Sequence, residues 1–173
     1  MNFKEKTVSK NYLYKGKILN LRKDDITLPN GKGAIREIVE HSGGSCIYCE
    51  KDNKVYLVKQ FRYAYKEELW EIPAGKLNPG EDPKVTALRE LEEEAGLRAE
   101  NIELMFTVYP SPGYTNEIIR IYRAWNFKSV PMHLDEDEFL VGEGIDKERI
   151  KTMIESGEIK DGKTLIALLK ALD

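Results

Sequence analysis

One segment of the chain marks both its own ends and an unusual energetic cost. Asp82 stands where a side chain can cap a helix, Pro83 fits the first helical position, and Gly96 can end it. At about 100° per residue the spacing predicts that Val85, Leu88, Leu91 and Ala95 form the apolar face, with Glu90, Glu93 and Glu94 opposite. A row of glutamates is ordinarily a solvated face. Here Glu90 and Glu94 are like charges one turn apart, which disfavours a helix by about 0.2–0.5 kcal/mol per pair. They also lie in its C-terminal half, where the macrodipole disfavours negative charge. A divalent cation held between them reverses that penalty. Carboxylate oxygens with open positions for water and phosphate suit Mg²⁺ or Mn²⁺.

The chain around this helix alternates strand-like and helical patterns. KILNLRKDDITL and AIREIVEH flank the turn Pro29-Asn30-Gly31, and SCIYCE and KVYLVKQF flank the tight turn Asp52-Asn53. IELMFTVYP and EIIRIYRAWNF are joined by SPGYTN, and FLVGEGI follows an acidic loop, Asp135 to Glu138. DKERIKTMIESG and KTLIALLKAL close the chain with helical spacing. The expectation is an α/β (α+β) protein with an N-terminal strand region, 1–41, and a main domain, 42–173. With 41% hydrophobic residues in 173, there is enough apolar material for a core. The absence of a long apolar run or a leader-like start predicts a cytoplasmic protein with no membrane span. Cys46 and Cys49 are the only cysteines, and on a strand residues three apart face opposite sides, so they read as packing residues rather than a metal or redox pair. The net charge of −3 and the lack of a basic stripe exclude a nucleic-acid binder. That charge averages unlike regions. Residues 81–94 hold six acids and two bases and residues 135–138 four acids, which leaves 20 acids and 25 bases elsewhere.

The spacing of the acids narrows the chemistry. Gly75, five residues, Glu81, seven residues, then Arg89-Glu90-Leu91-x-Glu93-Glu94-x-Gly96-Leu97 matches the Nudix box at every defined position. Seven fixed residues, each at a frequency of about 7%, make a chance match anywhere in the chain about one in a million. The sequence therefore resembles the Nudix hydrolases. The resemblance implies an α/β/α sandwich with a mixed sheet, in which the box forms a loop–helix–loop. It also implies Mg²⁺- or Mn²⁺-dependent hydrolysis of a nucleoside diphosphate linked to another group. By position, Glu90 and Glu94 would ligate metal with the backbone carbonyl of Ala74. Glu93 would complete the site or orient its water, and Gly75, Glu81, Arg89 and Gly96 would hold the motif's shape.

Three flanking patterns resemble the ADP-ribose pyrophosphatase subgroup. They are KQFR…LWEIPAGK, SPGYTNE with Pro112 fifteen residues beyond Leu97, and LDEDEF at 134–139. This resemblance implies substrate contacts from Arg36, Glu37, Arg62, Lys76, Ser111, Gly113 and Glu117. Glu136 would be the general base and Glu138 an additional metal ligand. Phe3, Tyr12 and Tyr14 are candidates to stack on adenine. The expected reaction converts ADP-ribose to AMP and ribose 5-phosphate in a homodimer with exchanged N-terminal strands. Alternatives are a pyrophosphatase for another nucleoside-diphosphate sugar or dinucleotide, and a non-catalytic nucleotide sensor.

Overall fold

Turn chemistry sets the first register. Gly31, at φ 81°, donates its N–H to the Leu28 carbonyl, and the strands on either side, β2 (Leu19–Thr27) and β3 (Gly33–His41), pair antiparallel from Thr27 opposite Gly33 to Leu19 opposite His41. Strand β1 (Lys6–Lys15) pairs antiparallel with β2, completing a three-stranded sheet. The computed structural model describes residues 3–134 and 138–172, and it contains two units. The first comprises Met1–Gly43 and Tyr109–Ile118. Within it, the Val39 N–H donates to the Tyr114 carbonyl and the Asn116 N–H to the Val39 carbonyl, so a segment remote in sequence lies along β3. Val8, Leu13, Tyr14 and Ile18 are exposed on or beside β1.

The second unit, Gly44–Val108 with Ile119–Asp173, holds a seven-stranded mixed sheet. Asp52 and Asn53 both take positive φ, 52° and 62°, as a two-residue type I′ turn requires, and join β4 (Gly44–Lys51) to β5 (Lys54–Arg62). Strands β6 (Glu67–Glu71) and β7 (Ala74–Lys76) pair with β5 and β4 respectively. The chain then crosses through helix α1 (Pro83–Ala95) to the antiparallel pair β8 (Leu97–Val108) and β9 (Ile119–Ser129). Strand β9 lies parallel to β4, which a crossover of this length permits. Strand β10 (Leu140–Asp146) closes the β5 side, followed by α2 (Lys147–Glu155) and α3 (Gly162–Leu172).

Alternation along β4 assigns the two faces. Cys46 and Tyr48 pack with Ile150, Met153 and Leu168 of α2 and α3. Ile47 and Cys49 pack with Ala87 and Leu91 of α1. Helices on both faces of the sheet make the α/β/α sandwich that the box implies. The two cysteines are fully buried on opposite faces, and burial pushes both thiols up to about 12. Among the described residues, no helix is long and apolar enough to cross a membrane.

Helix α1 corrects the periodicity argument. Its buried residues are Thr86, Ala87, Glu90, Leu91 and Glu94, while Val85 is 54% exposed. These positions, spaced alternately by one and three, define a stripe that includes the glutamates, so the helix buries two carboxylates against the sheet rather than solvating them.

Candidate metal and diphosphate site

Both ends of α1 are fastened before its glutamates are positioned. The Asp82 side chain accepts from the Lys84 N–H (2.9 Å), Gly96 adopts the left-handed conformation (φ 63°), and Ser45 Oγ on β4 donates to the Pro83 carbonyl (2.6 Å). The central turn is thereby held against β7. The Ala74 N–H donates to Glu94 Oε2 (2.9 Å), and a Cβ added to Gly75 would overlap the Glu90 carboxylate. Glycine at 75 is needed because the carboxylate occupies that volume.

Arg89 spans the outer side of the helix. Its Nη1 lies 2.8 Å from both Glu90 Oε1 and Glu93 Oε2, and its Nε lies 3.5 Å from Glu81 Oε1. Glu81 Oε2 in turn accepts from the Asn78 N–H (3.1 Å), tying the loop before α1 to the helix. Glu93 is thus held by Arg89 and is less buried than Glu90 and Glu94, which are 5% and 3% exposed.

Burial pushes the Glu90 carboxyl up to about 7, opposed by Arg89 and reinforced by Glu93 and Glu138. Burial also pushes Glu94 up to about 8, opposed by the Ala74 N–H and Arg62 and reinforced by Glu90 and Glu138. Glu138 therefore lies within electrostatic reach of both box carboxylates. Two buried acids that resist ionisation suit a divalent cation, whose charge would favour their ionised forms. Among the described residues no group of three or more His, Cys, Asp or Glu side chains gathers as a complete metal cage. One or two carboxylates supplemented by backbone, water and phosphate oxygens are nonetheless a Mg²⁺-type donor set. The residues present fit such an ion.

Beside the carboxylates, Arg62 projects from the end of β5. Its Nε and Nη2 donate to the two oxygens of Glu71 at 2.5 and 2.7 Å. Burial raises Glu71, but hydrogen bonds and charge from Arg62 and Lys163 outweigh it and hold this acid below the ordinary carboxylate range. Arg62, Tyr63, Tyr65, Asp161 and Lys163 border an open cleft of about 340 Å³. Lys76 is exposed on β7. Sequence reasoning did not single out Glu71 or Lys163. A lone acid within the apolar run LWEIP was the available signal for Glu71.

The remaining expected contacts fall in the first unit. Arg36 on β3 is ion-paired with Glu5, while Glu37, opposite Lys23, is exposed. Ser111 accepts from the N–H groups of Tyr114 and Thr115 through its carbonyl, and Gly113 is exposed. Glu117 Oε1 lies 3.3 Å from His41 Nδ1. Phe3, Tyr12 and Tyr14 are all exposed, with Lys15 Nζ 4.5 Å above the Tyr12 ring. Glu136 lies outside the described residues.

Comparisons with known proteins place the chain in a family. A family model described as the NUDIX domain matches residues 39–159, and one described as the nucleoside diphosphate sugar hydrolase N-terminal domain matches residues 5–39. The chain is 40% identical over 170 residues to the ADP-ribose pyrophosphatase of Bacillus subtilis, covering 96% of this chain and 92% of that protein. It is 41% identical over 169 residues to a methanol dehydrogenase activator of Bacillus methanolicus, covering 96% and 91%. A solved ADP compounds hydrolase superposes with a TM-score of 0.84 at 19% identity, covering 96% of this chain and 91% of that one, a likeness of fold.

Proposed function

The chain belongs to the Nudix hydrolase family, and from that premise we propose that it hydrolyses the diphosphate of ADP-ribose to AMP and ribose 5-phosphate with Mg²⁺ or Mn²⁺. The observation that carries this reading is the buried Glu90–Glu94 pair, moulded by Gly75 and the Ala74 N–H beside the forked Arg62. Glu90 and Glu94, with the Ala74 carbonyl and Glu138, would hold the ion. Once bound, such an ion neutralises diphosphate oxygens and lowers the pKa of an attacking water. Arg62 orients the diphosphate, and Glu93 steadies the water side of the pair from its anchor on Arg89. Glu136, within the acidic segment 135–138, accepts the proton of the water that adds to phosphorus as the bridging P–O bond breaks. Arg36, Glu37, Ser111, Gly113 and Glu117 are assigned to the nucleoside and terminal ribose, and Lys76 to the edge of the metal site.

We further assign a cytoplasmic homodimer. The exposed apolar residues of β1 support an exchange of residues 1–41 between subunits, with 42–173 as the hydrolase domain. The match of residues 5–39 to a nucleoside diphosphate sugar hydrolase segment favours nucleoside-diphosphate sugars as the second substrate class. A panel of ADP-ribose, nucleoside-diphosphate sugars and dinucleotides, assayed with each metal and analysed for products, decides between them. Turnover of ADP-ribose no faster than that of unrelated nucleotides refutes the substrate assignment. Nucleotide binding without metal-dependent release of AMP would instead mark a sensor.

A further inference from the structure

Arg62 could reach an anion only if its guanidinium is both held still and left with charge to spare, and the residues that hold it come from a distant part of the chain. Glu71 is 2% exposed, and its carboxylate receives Nε and Nη2 of Arg62 and, on Oε2, Nζ of Lys163. Lys163 sits in the first turn of α3 with only 13% of its side chain exposed, and its Nζ also lies 3.0 Å from Asp161 Oδ2. Asp161 is in turn fixed by the Thr164 N–H (3.0 Å) and Thr164 Oγ1 (2.6 Å). Thr164 Oγ1 accepts from the N–H of Ile72, the residue after Glu71 (2.9 Å). The loop of contacts runs from β5 through β6 to the start of α3 and back to β6. Among the described residues, Nη1 of Arg62 is the guanidinium nitrogen with no hydrogen-bond partner, and Glu94 lies within its electrostatic reach.

We infer that Glu71 and Lys163 are positioning residues for Arg62, holding its guanidinium so that Nη1 is presented to the diphosphate. The inference rests on the hydrolase reading above. A forked arginine–carboxylate pair is by itself electrically closed, and its pull on a third, anionic group is weak. Lys163 changes that balance. By sharing the charge of Glu71 it leaves Arg62 less completely neutralised, and Asp161, 3.0 Å from the Lys163 amine and within electrostatic reach of Arg62, takes back part of that effect. Lys163 thus favours an anion it does not touch.

The test compares Lys163→Met, Lys163→Arg, Asp161→Asn and Glu71→Gln with the wild type, measuring kcat and KM for ADP-ribose, thermal stability, and the Kd for ADP by calorimetry with Mg²⁺. Lys163→Met and Glu71→Gln are expected to raise KM and Kd on the order of tenfold, with kcat changed less than about threefold. Lys163→Arg, which keeps the charge, restores both to within about twofold. Asp161→Asn retains the cap on α3 and frees Lys163 for Glu71, so KM and Kd stay level or fall. Because Lys163→Met and Lys163→Arg leave both carboxylates in place, that pair reads the inference even if Glu71→Gln does not fold. Unchanged KM and Kd in Lys163→Met with a lowered melting temperature assigns the network to stability alone and overturns the inference. Equal losses in Lys163→Arg and Lys163→Met, or a raised KM in Asp161→Asn, also overturn it. A wild type that releases no AMP from ADP-ribose defeats the hydrolase reading separately, and the Kd series for ADP then decides the positioning role without turnover.

Discussion

Replacing Glu94 by glutamine should make the metal-free protein more stable at neutral and alkaline pH while removing its response to metal. The Glu94 carboxyl is 3% exposed and is pushed from 4.5 up to about 8, chiefly by burial. For an acid raised in the folded state, the associated stability is fully present below the unfolded value near 4.5 and is lost as the pH rises through about 8. Burying this carboxyl then costs about 2 kcal/mol at pH 6, where folding must take up a proton, and about 4 kcal/mol at pH 8. Glutamine has no such proton to lose, yet its side-chain oxygen can still accept from the Ala74 N–H. Equilibrium denaturation with EDTA, repeated from pH 5 to pH 8, should give nearly coincident curves at the acid end. At pH 8 the variant should be more stable by about 2–4 kcal/mol, or on the order of 5–10 °C in melting temperature. Mg²⁺ at a hundred times its Kd should then stabilise the wild type by about 3 kcal/mol and the variant far less. A variant less stable than the wild type at pH 8 without metal, or a difference that ignores pH, would refute the assignment of Glu94 as a buried carboxylate waiting for a cation.

Other outcomes follow from single contacts. Gly75→Ala places a methyl in the volume of the Glu90 carboxylate, so the metal concentration for half-maximal activity should rise at least about tenfold while circular dichroism shows α1 intact. Leu91→Ala empties a fully buried position between α1 and the sheet and should cost about 2–5 kcal/mol in denaturant titrations. Asp82→Ala removes the cap that receives the Lys84 N–H and should cost about 1 kcal/mol in the same assay, with turnover per folded molecule retained. Cys46 and Cys49, fully buried and with thiols held protonated, should react with a thiol reagent only at the rate of global unfolding.

Much of the scaffold was legible because it depends on local rules. Asp52-Asn53 is a turn that tolerates positive φ at both positions, and Asp82, Pro83 and Gly96 bound their helix by hydrogen-bond chemistry alone. The opposite-face placement of Cys46 and Cys49 followed from the two-residue period of a strand. What was not legible depends on partners distant in the chain. No pattern near Lys163 reveals that its amine meets Glu71, 92 residues earlier, and nothing in SPGYTN indicates that its backbone lies along β3. The motif carried the acids of the site, whereas the network around Arg62 emerged only from the packing of α3 against β6.

The misreading of α1 has a physical cause that bears on function. Hydrophobic periodicity assumes that a helix turns its apolar residues inward, because burying a charge is costly and exposing a valine forfeits the energy of its burial. Here Val85 is exposed and Glu90 and Glu94 are buried, the opposite of what folding alone would favour. A sequence selected only for stability would exchange those positions. The arrangement makes sense where a cation bound to the folded state offsets the penalty, since a ligand that binds only the native protein adds its binding energy to stability. Failure of the period rule on this one helix is therefore independent of the spacing that matches the box. The spacing gives the identity of the acids, while their burial gives the reason a metal must come with them.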